Sequence, residues 1–120
     1  MDSRGKRKRR RDYTLRMNWI DIISNELPRL RLYASASLGS PAYGDLAVED
    51  VLGAFFTSRM SAQPERIVLY RLLDLGIRNT STLTGGEREE LLKHVAGFDP
   101  AEAGEIVEWD PAQPRLRSAG

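Results

Sequence analysis

The sequence predicts an all-α protein, and three features of the chain support this prediction. Apolar residues recur at spacings of three and four in several separate segments, which is the pattern of a helix that buries one face. Glycine and proline interrupt these segments, most clearly in the Gly-Ser-Pro stretch at 39–41. Capping signatures, in which a Thr or Asp precedes a Glu by three residues, mark two helix starts in the last third of the chain. We therefore expect two small helical modules: a cluster of three or four helices, followed by a helix-turn-helix-like pair.

The segment 28–38 predicts one helix of the first module. Pro28 suits the first helical position, because its missing N–H would be unpaired there in any residue. The turn at 39–41 ends the helix, since glycine relieves a helix end and proline cannot continue it. The residues expected on or beside the buried face are Leu30, Leu32, Tyr33, Ala36 and Ser37.

A shorter helix is predicted ahead of it at 18–27. Its apolar positions include Trp19, a large aromatic residue that we expect to anchor the core. The residue before a proline is disfavoured in helical conformation, so the chain is expected to bend at Pro28.

A second patterned helix follows the turn and ends near Phe56. Asp45, Glu49 and Asp50 are expected near its start, where the positive end of the helix dipole favours carboxylates. Its apolar positions are Leu46, Val48, Val51, Leu52, Phe55 and Phe56. Two amphipathic helices need a third partner, and the helix predicted over 65–77 supplies it.

The second module, at 83–109, consists of two short capped helices. Thr84 with Glu87 forms one capping box, and Asp99 with Glu102 forms another. Gly97 lies between them as a helix stop. A DNA-reading motif needs a further helix that carries groups able to reach base edges. The tail at 110–120 contains two prolines and does not predict one.

The net charge of +1 conceals a division along the chain. Residues 1–17 carry eight Lys or Arg against two Asp, whereas the remainder carries ten against fifteen carboxylates. We expect residues 1–16 to form a disordered basic leader ahead of a helical module at 17–78, with Met17 as an alternative translation start. A weak nucleic-acid contact is a function open to this leader, and its candidate phosphate contacts are Lys6, Arg7, Lys8, Arg9, Arg10 and Arg11.

Composition narrows the function classes. Without cysteine the chain has no disulfide, thiolate metal site or thiol nucleophile, and a reducing cytoplasm suits it. No apolar run approaches the roughly 20 residues that span a bilayer, so no membrane association is expected. The single histidine, His94, has no nucleophile or metal-ligand cluster around it in the sequence. We expect neither an enzyme nor a cofactor.

Three stretches resemble the sigma-like domain of PhyR-type response regulators. LPRLRLYASASLGSPAYGDLAVEDVLGAFF and IVLYRLLDLGIRN are similar to its sigma region 2-like module, and LTGGEREELLKHVAGFDPAEAGEIVEW to its region 4-like module. The resemblance covers about residues 19–109. We expect this chain to depart from the family's pattern in two ways: its helices leave no room for a receiver domain within 120 residues, and its last helix is predicted to be broken.

The resemblance implies a function in transcription regulation. In that family the domain mimics an alternative sigma factor and captures a small anti-sigma factor of the NepR type during the general stress response. In this mode we expect the contact surface to include residues of the second patterned helix and of the helix predicted at 84–96: Leu46, Val48, Val51, Leu52, Phe55, Leu91 and Leu92. These are also natural core residues. The alternative is a compact sigma factor or DNA-binding regulator that contacts RNA polymerase and promoter DNA.

Overall fold

Five α-helices make up the part of the chain that the computed structural model describes, residues 3–58 and 65–112. In chain order they are α1 (Ser3–Leu38), α2 (Pro41–Ser58), α3 (Arg66–Ile77), α4 (Gly85–Ala96) and α5 (Pro100–Glu108). Side chains are described at 18–57 and 65–112. The predicted all-α class is confirmed, since these residues contain helices and no strand. No described helix combines the length and the apolar character needed to cross a bilayer.

α1 is one helix that continues through Pro28, so the prediction of a separate helix at 18–27 and of a helix start at this proline is wrong. A proline in a helix interior removes a backbone hydrogen bond and costs about 3 kcal/mol. A buried face that runs past the proline offsets this cost. Trp19 and Ile23 lie on it before the proline and Leu30 and Tyr33 after it, and none is more than 8% exposed.

The helix α1 also takes in residues 3–16, most of the leader for which the sequence predicts disorder. The side chains of that stretch lie outside the described residues, and with them the predicted phosphate contacts. Farther along α1, Leu32 and Ala36 are exposed, so their predicted place beside the buried face is wrong. On a helix with 3.6 residues per turn, Leu32 lies roughly 150° and Ala36 roughly 110° from the centre of the buried face, so both fall outside it.

The turn between α1 and α2 is confirmed. Gly39 ends α1 with a φ of 72°, a left-handed conformation that glycine adopts without strain. Ser40 accepts a hydrogen bond from the backbone N–H of Tyr43 at 3.2 Å, and Pro41 is the first residue of α2. Because α2 begins there, its first turn contains no acidic residue. The prediction that Asp45 and its neighbours lie at the dipole end is wrong.

Glycine lets α2 approach α1 closely. A Cβ atom placed on Gly44 would lie 2.6 Å from the backbone nitrogen of Ser35 in α1, well inside any normal contact. Farther along the pair, Trp19 and Phe55 meet edge to face with ring centres 4.5 Å apart, and both are fully buried. Trp19 is therefore the core anchor that the sequence predicts.

α3 contributes residues to both halves of the core. Tyr70 lies between Tyr33 of α1 and Phe98, which follows α4, with ring centres 6.2 Å and 5.1 Å away. Leu69, Leu73 and Ile77 complete its buried face. The predicted role of this helix in covering the first two is confirmed.

Both predicted capping boxes are present. The Thr84 hydroxyl accepts from the Glu87 backbone N–H at 3.1 Å, and the Glu87 carboxylate accepts from the Thr84 backbone N–H at 2.9 Å. Asp99 and Glu102 make the same exchange at the start of α5. Gly97, at φ 74°, ends α4 as predicted.

We expect Thr84→Ala to lower the free energy of unfolding by about 1 kcal/mol, because one backbone N–H loses its acceptor. Thr84→Ser retains the hydroxyl and is expected to stay within about 0.5 kcal/mol of the parent. Urea unfolding followed by circular dichroism measures both. Equal loss in the two variants would show that the methyl group, and not the cap, matters.

Candidate partner-binding site

A fully buried carboxylate, Asp74 of α3, lies between the two predicted modules. Arg88 of α4 donates to its Oδ1 at 2.7 Å, and the Tyr33 hydroxyl of α1 donates to the same oxygen at 2.5 Å. Arg78 donates to Oδ2 at 3.0 Å. A buried charge is tolerated only when it is paired and hydrogen-bonded. Asp74 therefore fixes three helices to one another.

The surroundings of Asp74 shift the protonation equilibria of its partners. Burial, reinforced by the negative charge of Asp74, raises the pKa of Tyr33 far above its ordinary range. Burial alone would lower the pKa of Arg88, but the hydrogen bond and charge of Asp74 outweigh it and raise that pKa. In the folded state the Tyr33 hydroxyl therefore keeps its proton, and the Arg88 guanidinium keeps its positive charge.

A second polar cluster surrounds Glu26, which is 8% exposed on α1. Arg66 of α3 donates from Nε to its Oε2 at 3.0 Å, and the Tyr70 hydroxyl donates to its Oε1 at 2.9 Å. Arg66 also donates to the backbone carbonyl of Ala96. Its guanidinium lies 4.1 Å from the centre of the Phe98 ring, a cation–π contact. This cluster connects α1 and α3 to the end of α4.

Further contacts attach α5 to α3. Arg78 donates from Nη1 to the Trp109 carbonyl at 2.9 Å and from Nη2 to the Ile106 carbonyl at 3.3 Å. Arg71 forms an ion pair with Glu105. The two predicted modules therefore pack on a shared polar layer centred on α3.

A groove of about 440 Å³ lies between the end of α1, the outer face of α2 and the turn that follows α3. We call it the α2 groove, and its lining residues are Leu38, Tyr43, Leu46, Ala47, Asp50 and Thr80. Tyr43 is 65% exposed and Leu46 is 54% exposed, large fractions for apolar side chains. Exposed apolar side chains clustered at a concave surface are typical of a binding site.

The residues predicted to contact a partner occupy three different environments. Leu46 is exposed and lines the α2 groove. Three others are at most 3% exposed and belong to the core: Val48, Phe55 and Leu92. The remaining three are partly buried and pack against that core: Val51, Leu52 and Leu91. The structure thus brings Leu46, alone among the seven, to the groove.

Sequence reasoning missed most of the groove. Tyr43 precedes the apolar pattern by three residues, and this spacing before Leu46 is the signal that would have found it. Leu38 and Thr80 come from a helix end and a turn, which meet across the groove through tertiary packing. No local pattern in the chain indicates that pairing.

The charge on this surface is negative. Every Lys and Arg among the described side chains lies in an ion pair with a carboxylate: Arg29, Arg31, Arg66, Arg71, Arg78, Arg88 and Lys93. Three carboxylates and no basic residue lie on α2. Asp45 is 3.8 Å from Arg31, while Glu49 and Asp50 are exposed and have no ion-pair partner in the described part of the chain.

Several other predictions concern sites away from the groove. His94 is 78% exposed, with Nε2 at 3.5 Å from a Glu90 oxygen. No cluster of three or more potential metal ligands occurs in the ranges that the structure describes. Residues 113–120, most of the predicted tail, lie outside those ranges.

Comparisons of the chain with protein-family models, with curated proteins and with solved structures found no match.

We expect stability to fall above pH 10 because of Tyr33 and Tyr70. Burial, together with Asp74 for Tyr33 and Glu26 for Tyr70, raises the pKa of each hydroxyl from an ordinary value of 10.0. When the pKa of a group is higher in the folded than in the unfolded state, the group contributes to the free energy of unfolding. This contribution is fully present below the pKa of the unfolded state and is lost as the pH rises from there towards the pKa of the folded state. Each tyrosine then subtracts about 1.4 kcal/mol per pH unit.

Urea unfolding at pH 9 and pH 11 measures this loss. The Tyr33→Phe/Tyr70→Phe variant is expected to be less stable at pH 9, because Asp74 and Glu26 each lose a donor. It should nevertheless lose less stability between the two pH values than the parent. The same loss in both chains would contradict the assignment to these hydroxyls.

Proposed function

We propose that this chain is a protein-binding module that mimics a sigma factor and captures a helix of an anti-sigma factor of the NepR type. The observation that carries the proposal is the apolar α2 groove, with Tyr43 and Leu46 more than half exposed at its edge. Without a partner these side chains remain in water. A docked helix would remove their apolar surface from water, and the free energy of this burial would favour binding.

The shape of the groove suits a helical partner. Tyr43, Leu46, Ala47 and Asp50 recur at spacings of three and four along α2, so they present a continuous strip about two turns long. Thr80 lies on the opposite wall. An amphipathic helix places one side chain per turn into such a strip, which gives two or three anchoring residues.

The charge pattern favours a protein over a nucleic acid on this face. Duplex binding depends on basic side chains that neutralise phosphates. The described Lys and Arg side chains already contact carboxylates of this chain. Asp50, which is exposed and lines the α2 groove, would repel a phosphate backbone there, and exposed Glu49 lies one helical turn from Leu46 on the same helix.

Titration of the purified full chain against a purified NepR-type anti-sigma factor tests the proposal. We expect a one-to-one complex that Leu46→Asp weakens at least about tenfold, equivalent to about 1.4 kcal/mol. Leu32→Asp is the matched control, because Leu32 is 56% exposed and lies on the outer face of α1 away from the groove. Its affinity should equal that of the parent.

Two results would overturn the proposal. The first is the absence of any complex with the anti-sigma factor. The second is sequence-specific binding of the full chain to promoter DNA that persists when Leu46 is replaced, which would favour a compact sigma factor.

A further inference from the structure

We infer that the helix docked in the α2 groove is basic as well as amphipathic, with Lys or Arg flanking its apolar stripe. The inference rests on the proposed function, since it specifies the partner of the same groove. Its basis is the arrangement of carboxylates around the exposed apolar side chains.

Two carboxylates neighbour Leu46 on the surface of α2. Glu49 and Asp50 follow it by three and four residues, the spacings at which helix side chains are neighbours. Asp50 itself lines the groove. When a partner helix places an apolar side chain beside Leu46, the residues that flank this side chain on the partner therefore lie close to these carboxylates.

The chain supplies little positive charge of its own to these acids. Arg31 is the one described base that contacts an acid of α2, at 3.8 Å from Asp45, and both side chains are more than half exposed. Glu49 and Asp50 have no ion-pair partner among the described side chains. A partner helix with Lys or Arg beside its stripe matches this field, whereas an acidic helix is repelled by it.

A second copy of this chain is an alternative occupant, which the sedimentation experiment below tests. Its most basic segment, RGKRKRRR at 4–11, contains no apolar residue to enter the groove, and apolar Tyr13, Leu15 and Met17 come only after it. Leu46 and Tyr43 both line the groove, and a partner must bury both side chains. The partner therefore needs an apolar stripe and basic flanks in the same helix.

Two synthetic helical peptides test the inference with the full-length chain. Both have the same length and leucine spacing, and one carries Lys and the other Glu beside the stripe. Fluorescence anisotropy is expected to show binding of the Lys peptide at least tenfold tighter than that of the Glu peptide. The affinity for the Lys peptide should fall several-fold as salt rises from about 50 mM to about 300 mM.

Charge-reversed variants locate the effect. Glu49→Lys/Asp50→Lys should weaken the Lys peptide at least tenfold and strengthen the Glu peptide. Asp21→Lys, an exposed acid on α1 outside the groove, is the control and should change neither affinity. Equal binding of both peptides, or equal effects of the two sets of substitutions, would overturn the inference.

The outcomes separate this inference from the proposed function. An anti-sigma factor that binds the parent and Glu49→Lys/Asp50→Lys equally well would leave the proposed function in place and overturn the basic helix. Selective binding of the Lys peptide without any complex with the anti-sigma factor would do the reverse. Sedimentation of the full chain should show a monomer at low salt, and a dimer that Glu49→Lys/Asp50→Lys dissociates would assign the groove to a second copy and overturn the inference.

Discussion

Asp74→Ala is expected to lower the free energy of unfolding by about 3–5 kcal/mol, because it leaves a buried ion pair broken. The substitution leaves the Arg88 guanidinium, 6% exposed, without its carboxylate. The Tyr33 hydroxyl loses its acceptor in the same step. Domains of this kind have a total stability of about 5–15 kcal/mol, so the variant should be largely unfolded in moderate urea.

The matched control is Asp45→Ala. Asp45 also pairs with an arginine, Arg31, but the two side chains are 58% and 55% exposed and 3.8 Å apart. Exposed pairs contribute about 0–1 kcal/mol. Urea unfolding should therefore separate the two aspartates by several kcal/mol, and similar losses would contradict the burial argument.

A compensating pair tests whether the loss comes from the stranded charge. Asp74→Leu/Arg88→Met removes both charges and retains apolar volume, and such replacements of buried pairs are often neutral or stabilising. The double variant should recover most of the stability that Asp74→Leu alone loses. Additive losses would instead show that the carboxylate acts through Tyr33 and Arg78 independently of Arg88.

The local features of this fold are the ones that the sequence predicts correctly. The capping boxes at Thr84 and Asp99, the left-handed glycine at 97 and the turn at 39–41 each depend on residues within a few positions of one another. Their hydrogen bonds close within the segment itself. No knowledge of distant packing is needed to expect them.

Features that depend on tertiary packing were mispredicted or missed. The residues next to Pro28 in the sequence indicate a helix start there. The helix nevertheless continues through Pro28, because residues on both sides of it, including Trp19 and Tyr33, are buried on one face of α1. Asp74 is a carboxylate in an otherwise apolar helix, and its burial depends on arginines four and fourteen residues later in the chain. Neither outcome follows from periodicity.

The candidate site was predictable only in part for a geometric reason. The apolar pattern groups Leu46 with Val48, because both side chains are apolar. Side chains at positions i and i+2 of a helix, however, are about 200° apart and face nearly opposite directions. Val48 consequently enters the core at 3% exposure, while Leu46 reaches solvent at 54%. The second wall of the groove, at Thr80, comes from a turn after α3.

The close contact of α2 with α1 leads to the second large effect, which we expect for Gly44→Ala. An alanine Cβ would lie 2.6 Å from the nitrogen and 2.8 Å from the Cα of Ser35, and backbone atoms cannot move aside as a flexible side chain can. The two helices must separate, which loosens the packing around the α2 groove. Overpacking of this kind costs about 1–3 kcal/mol.

Gly53→Ala is the control for the same substitution in the same helix. Nothing lies within 4 Å of a Cβ at that position, so alanine there should raise the stability by about 0.5–1 kcal/mol through its better helix propensity. The two glycines are thus expected to change stability in opposite directions in urea unfolding. If Gly44→Ala were also stabilising, helix propensity would outweigh the contact with Ser35, and the close approach of α1 and α2 would not be the constraint that keeps a glycine at this position.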